Sequence, residues 1–215
     1  MVKSTRSIHV LRAPGVPASA ASAALVAALR DPQRYPHPVE RVEIIETHIS
    51  WVLLTGRYAY KLKKPLDLGF LDFSTLERRR EACETELALN RRTAPELYLE
   101  VVRVTGTVED PSIGGSGPAI EYAVKMREFP QAALLDRVAA RGELRLEQMD
   151  ELAATVARFH AEVERAGRQS EFGTPEAVIA PAHANFAQLR ALPIGTDAAA
   201  VLGRLAAWTD RESAR

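Results

Sequence analysis

The chain has 215 residues, 47% of them hydrophobic, enough apolar material for one sizeable domain or two small lobes. Lysine plus arginine and aspartate plus glutamate both number 28, so the formal net charge is zero and no global field draws the chain to nucleic acid or to a membrane. The single cysteine, Cys83, excludes an internal disulfide, points to no oxidising compartment and leaves the cytoplasm as the expected location.

Residues 1–16 read as irregular, broken by Pro14-Gly15-Val16-Pro17, and a helix is predicted from Ser19 to Arg30. The small-residue stretch Pro17 to Leu29 resembles a signal-peptide core only superficially, because Ala and Ser dominate it and Arg12 and Pro14 precede it. It is read as a short amphipathic helix. Nothing approaches the run of ~20 apolar residues that a membrane span requires.

From Val42 the texture becomes β-branched and aromatic. The run VEIIETHISWVLL predicts a strand, Thr55-Gly56-Arg57 a turn, and YAYKLKK, closed by Pro65, a hairpin strand. After the connector LDLGFLDF, Ser74-Thr75 followed by Glu77 marks an N-cap with acidic first-turn support. A long helix follows, ending near Thr93 to Pro95. LYLEVVRV and AIEYAVKM predict an antiparallel pair joined by a Gly/Ser/Pro loop from Pro111 to Pro118. Beyond Pro130 the pattern is helical, with Leu146, Met149, Ala153, Val156, His160 and Val163 on one stripe, and further helices expected near Ala182 to Leu192 and Asp197 to Trp208.

The strand Tyr58 to Lys63 carries the chemistry. Its period of two puts Ala59, Lys61 and Lys63 on one face, Tyr58, Tyr60 and Leu62 on the other. A small residue beside a lysine on a floor strand suits a nucleotide, with room for adenine and an ammonium for phosphate oxygens. Such a lysine requires a carboxylate. With residues placed at ~100° intervals, Leu76, Ala82, Cys83, Leu87 and Leu89 of the long helix define an apolar arc that contains Glu86 and excludes Glu77, Glu81 and Glu84. Lys61 is the expected partner of Glu86. The bland alternatives are solvated lysines at a strand end and a Glu86 paired with Arg79.

These elements and motifs resemble the kinase small lobe, specifically the aminoglycoside-phosphotransferase-like domain of bacterial proteins that often carry a second, P-loop ATPase domain. The resemblance rests on VEIIETHISWVLLTGRYAYKLKKPLDLGFLDFSTLERRREACETELALNRRTAPELYL and EYAVKMREFPQAALLDRVAARGEL. It implies an α+β fold with three parts: a helical extension at 1–40, a kinase-like small lobe at 41–130, and a partial, all-helical large lobe at 131–215. It implies ATP with Mg²⁺ as cofactors, Lys61 as the phosphate-contacting lysine, and Glu86 as its helix partner. Thr47 to Ser50 would form the phosphate-covering turn, without the glycine of protein kinases, so that Ser50 and backbone N–H groups would carry the contact. Lys125, Met126 and Arg127 would form the hinge that meets adenine.

Phosphoryl transfer of this type also needs a catalytic Asp, an Asn and a metal-binding Asp. In the family these follow the Leu146 to His160 helix in a His-Gly-Asp type motif. None of His9, His37, His48, His160 and His183 has Asp two residues on, and no G-x-x-x-x-G-K-[ST] occurs. The expected function is therefore a kinase homologue that transfers phosphate from ATP to the hydroxyl of an unidentified small molecule once a catalytic loop completes it. A P-loop ATPase domain in a longer parent protein is the implied companion. The alternative is a truncated, non-catalytic module that binds nucleotide or protein.

Other features read plainly. Arg78-Arg79-Arg80 and Arg91-Arg92 are interleaved with glutamates and read as a solvated helix face instead of a nucleic-acid surface. Gly114-Gly115-Ser116-Gly117 joins two strands and reads as a hairpin tip. His160, Cys83, Trp51 and Trp208 read as packing residues.

Overall fold

The computed structural model describes residues 20–167 and 169–213. The segment read as irregular at 1–16, with His9, and the predicted helix start at Ser19 lie outside the described residues. The fold is α+β: six antiparallel strands form one curled sheet, accompanied by six α-helices among the described residues. The strands are β1 (Glu43–Glu46), β2 (Ser50–Leu54), β3 (Tyr58–Lys63), β4 (Tyr98–Gly106), β5 (Pro111–Ile113) and β6 (Ala119–Arg127). Their order across the sheet is β1-β2-β3-β6-β4-β5. The helices are α1 (Ala20–Ala28), α2 (Leu76–Arg91), α3 (Leu135–Ala140), α4 (Leu146–Glu162), α5 (Pro175–Arg190) and α6 (Thr196–Ser213).

The run VEIIETHISWVLL, expected as one strand, is two. Thr47 folds it back: its N–H and its hydroxyl both donate to the Ser50 carbonyl, and its Oγ1 accepts from the Ser50 N–H at 3.0 Å. The loop expected from Pro111 to Pro118 likewise contains β5. Pro111 is tolerated there because β5 is the sheet edge and its missing N–H breaks no internal ladder. Gly106 turns β4 toward β5 at φ +90, where a Cβ would meet the Asp110 carbonyl oxygen at 2.4 Å, so only glycine fits.

One face of the sheet is the main core. Trp51, Leu53, Tyr60, Leu62 and Val104 pack there with Leu25, Val26 and Leu29 from the α1 region and with Tyr35. The other face receives α2. Thr75 caps that helix by accepting from the Arg78 N–H at 3.2 Å, which satisfies a first-turn donor otherwise left open. Cys83, on α2 itself, is fully buried.

The described residues fall into two compact units, one ending at Phe159 and the next beginning at His160. Within the second, α5 and α6 pair through His183 Nε2 and Asp210 Oδ1 at 2.9 Å, and α6 buries Leu202 and Ala206. α5 begins at Pro175, earlier than the sequence pattern indicated, because Thr174 caps it and Pro175 fits the first turn. No strand follows Arg127 among the described residues. No helix among them is long and apolar enough to cross a membrane.

Three readings of side chains are corrected. Trp208 is 55% exposed and His160 is exposed, so neither packs in a core. Leu89 is 53% exposed and lies outside the buried arc of α2. Apolar periodicity marks a face that can be buried; it carries no information on whether a partner surface exists.

Candidate functional site

Directly opposed residues of antiparallel strands send their side chains to the same face. The register therefore assembles rows across the sheet on the α2 side. Leu54, Ala59, Met126 and Tyr98 form one row, running from β2 through β3 and β6 to β4. Val52, Lys61, Val124 and Val101 form the next. Ser50 and Lys63 begin a third. A small-and-apolar row thus borders a row centred on a lysine.

α2 brings the carboxylate. Lys61 Nζ donates to Glu86 Oε1 at 2.8 Å, and Lys63 Nζ donates to Glu86 Oε2. The side chain of Glu86 is 12% exposed, that of Lys63 6%, and that of Lys61 27%. Lys61 is thus the cation of the three that solvent reaches. Burial works to raise the Glu86 carboxyl, but the hydrogen bonds and charges of Lys61 and Lys63 outweigh it and hold the group below the ordinary carboxylate range. Helix geometry identified Glu86 as the sheet-facing acid, and the structure pairs it with Lys61. The second lysine on the same carboxylate was not foreseen.

The remaining site residues divide. Ala59 is buried in the row beside Lys61. The Ser50 side chain is fully buried and its Oγ has no hydrogen-bond partner. The backbone of Lys125, Met126 and Arg127 lies inside β6, paired with β3 on one side and facing β4 on the other. The Arg127 N–H donates to the Leu97 carbonyl at 2.8 Å, and the Glu128 N–H to the Arg57 carbonyl at 3.1 Å. Met126 contributes its side chain to the Ala59 row. Lys125 points to the opposite face, where it meets Glu100 at 2.8 Å and stands 4.6 Å from the centroid of the Tyr58 ring.

Tyr98 was missed. It sits in the Ala59 row, and burial, followed by the charge of Glu86, raises its phenol. The signal was the pairing of LYLEVVRV with AIEYAVKM, whose register alternation alone does not fix.

A second ion pair on α2 was misread. Arg79, expected on the solvated face with Arg78 and Arg80, is buried. Its Nε donates to both oxygens of Glu121, at 3.0 and 2.8 Å, and its guanidinium reaches the Phe73 and Ser74 carbonyls at 3.0 and 3.3 Å. Burial raises the Glu121 carboxyl, against the lowering pull of Arg79 and of the Tyr122 N–H. Arg79 is therefore not the partner of Glu86. The pair borders an open cleft of about 670 Å³ between the α1 segment Ala21 to Leu25 and the Pro65 to Asp67 connector. Arg91 is also engaged, its Nε donating to the Tyr98 carbonyl at 2.9 Å. Arg80 keeps to the solvated face with Glu84.

Burial pushes the Cys83 thiol up to about 12, with Lys63 pulling the other way, so it is an inert packing group. Among the described residues no three His, Cys, Asp or Glu side chains gather to hold a metal ion.

Over 157 residues the chain is 34% identical to the uncharacterized proteins Mb2027c of Mycobacterium bovis and Rv2004c of Mycobacterium tuberculosis. The match covers 72% of this chain, and the chain spans 30% of the length of these curated relatives. No family model and no solved structure matches it.

Proposed function

We propose that the sheet and α2 form a nucleotide-binding unit of the aminoglycoside-phosphotransferase, kinase-like type, working in the cytoplasm. The observation that carries this reading is the Lys61–Glu86 pair set beside the row of Ala59, Met126 and Tyr98. That order matches a nucleotide: a flat apolar base against the small-residue row, then phosphates at the exposed ammonium. Lys61 would hold phosphate oxygens as a point charge, and Glu86 would fix its rotamer. The β6 backbone is committed to the sheet at Lys125 to Arg127, so adenine contact in this reading passes to the Met126 side chain and to backbone beyond Glu128.

In the full reaction, the oxygen of a small-molecule hydroxyl would bond to the γ-phosphorus of ATP as the bond to the β,γ-bridging oxygen breaks, releasing ADP. The hydroxyl proton needs a base of the kind found in the family's His-Gly-Asp motif, which this chain lacks. The described residues supply no metal cluster, so Mg²⁺ enters this reading only as the ion that accompanies ATP. The complete phosphotransferase, any P-loop ATPase companion and the acceptor all belong to this proposal. A non-catalytic binding module is the second reading. It is favoured by the α4 stripe, where Leu146 is 80%, Met149 38% and Val156 43% exposed, more apolar surface than a solvated helix needs.

Thermal denaturation with and without MgATP tests the first reading. At ligand a hundredfold above Kd the unit should gain about 2.7 kcal/mol. No change in melting temperature at millimolar MgATP would remove the nucleotide from the proposal.

A further inference from the structure

Glu86 is one carboxylate with two ammonium groups on it, each bound to a different oxygen. Lys61 and Glu86 by themselves make a neutral pair, and a neutral pair is a poor anion site, because an approaching phosphate is repelled by the carboxylate nearly as strongly as it is drawn to the ammonium. The second lysine changes this. With Lys63 on Oε2, the three groups leave one net positive charge, and the charge is placed asymmetrically: the Lys63 side chain is 6% exposed while that of Lys61 is 27% exposed.

Lys63 is held for this role. It opposes Ser50 in the β2–β3 register, and its ammonium stands 5.4 Å from the centroid of the Phe73 ring. Burial keeps it from reaching ligand. Its neighbour Lys64 is tied elsewhere, to Glu46 at 2.6 Å and over the Trp51 ring. The Ser50 hydroxyl takes no hydrogen bond from Lys63.

We infer that Lys63 is a positioning residue that neutralises Glu86, so that Lys61 presents an uncompensated positive charge to an incoming phosphate chain while its rotamer stays fixed by the same carboxylate. This rests on the nucleotide reading for the identity of the anion, but its electrostatic core requires only a polyphosphate. It assigns the two lysines different work: Lys61 touches the anion, and Lys63 acts through Glu86.

The test is a binding titration of the 215-residue chain with MgATP and, separately, with inorganic tripolyphosphate. The variants are Lys63→Met, Lys63→Arg and the double variant Lys63→Met/Glu86→Gln, each checked for cooperative unfolding. Lys63→Gln, which can still donate to Glu86, replaces Lys63→Met if the latter does not fold. Loss of the buried charge should weaken both ligands about tenfold or more. Lys63→Arg should stay near wild type. The double variant restores one net positive charge and should recover most of the affinity, a rescue that a merely packing role would not produce. Lys63→Met binding as tightly as wild type, or a double variant no tighter than the single, overturns the inference while leaving the nucleotide reading intact. Wild type binding tripolyphosphate but not ATP, with the same variant pattern, upholds the inference and removes the nucleotide. Wild type binding neither ligand overturns both.

Discussion

α2 carries two ion-pair sites on one face, two turns apart, and they are built on opposite plans. At Arg79 a single guanidinium meets a single carboxylate, its Nε donating to both Oε atoms of Glu121 and its Nη1 to two backbone carbonyls. Charge is balanced and both side chains are buried. At Glu86 a single carboxylate meets two lysines, charge is in excess, and one cation reaches solvent. A buried, neutral pair can anchor the helix but presents no net charge to a ligand. An open, cationic cluster has a donor to spare. The difference separates a structural lock from a candidate binding site on the same helix, without appeal to position in a pocket.

Breaking the lock should give the largest effect. Arg79→Met leaves Glu121 buried beside an apolar chain, and removing one partner of such a pair costs about 3–5 kcal/mol. Denaturant titration should show this loss, and the molecules that remain folded should bind MgATP as wild type does. Glu86→Gln comes next. It leaves two neighbouring ammonium groups without their anion, at about 1–3 kcal/mol.

The two acids should also respond to pH in opposite directions. The folded state holds Glu86 below its ordinary 4.5, so the stability it contributes is complete above that value and is lost as pH falls through the lowered one. Glu121 is raised, so its contribution is present at low pH and is lost as pH rises through the raised value. Acid unfolding of Glu86→Gln should therefore lose part of the wild-type slope below about 4.5. An unchanged acid limb would place the Glu86 carboxyl outside the lysine cluster. The smallest effect belongs to Leu89, 53% exposed on the same helix. Leu89→Gln should stay within about 0.5 kcal/mol of wild type.

The two sites were unequally legible. Lys61 and Glu86 follow from local geometry, a period of two on β3 and a 100° step on α2, and these need only residues close in sequence. The same helical step places Arg79 almost in line with Glu86, seven residues earlier. Its neighbours Arg78 and Arg80 made it look like one of three solvated charges, and its partner lies 42 residues away on β6. Lys63 shared the face of Lys61 from the outset, but nothing in alternation says that one acid will serve both. The hairpin inside VEIIETHISWVLL was hidden because Thr47 makes the turn with a side chain, without the glycine or proline that punctuates most turns. Trp208 and His160 failed for the converse reason: their helices are amphipathic, but burial depends on a partner surface that periodicity does not specify.

The most direct test of the contrast is calorimetric titration of MgATP into wild type and Lys61→Met, with stability measured on both. Lys61 is the partly exposed member of its cluster, so its loss should change stability by no more than about 1 kcal/mol. The loss of its phosphate contact should weaken MgATP about tenfold or more. Equal affinity in the two proteins, or no saturable binding in wild type, would contradict the assignment of Lys61 and Glu86 as the open site of the pair.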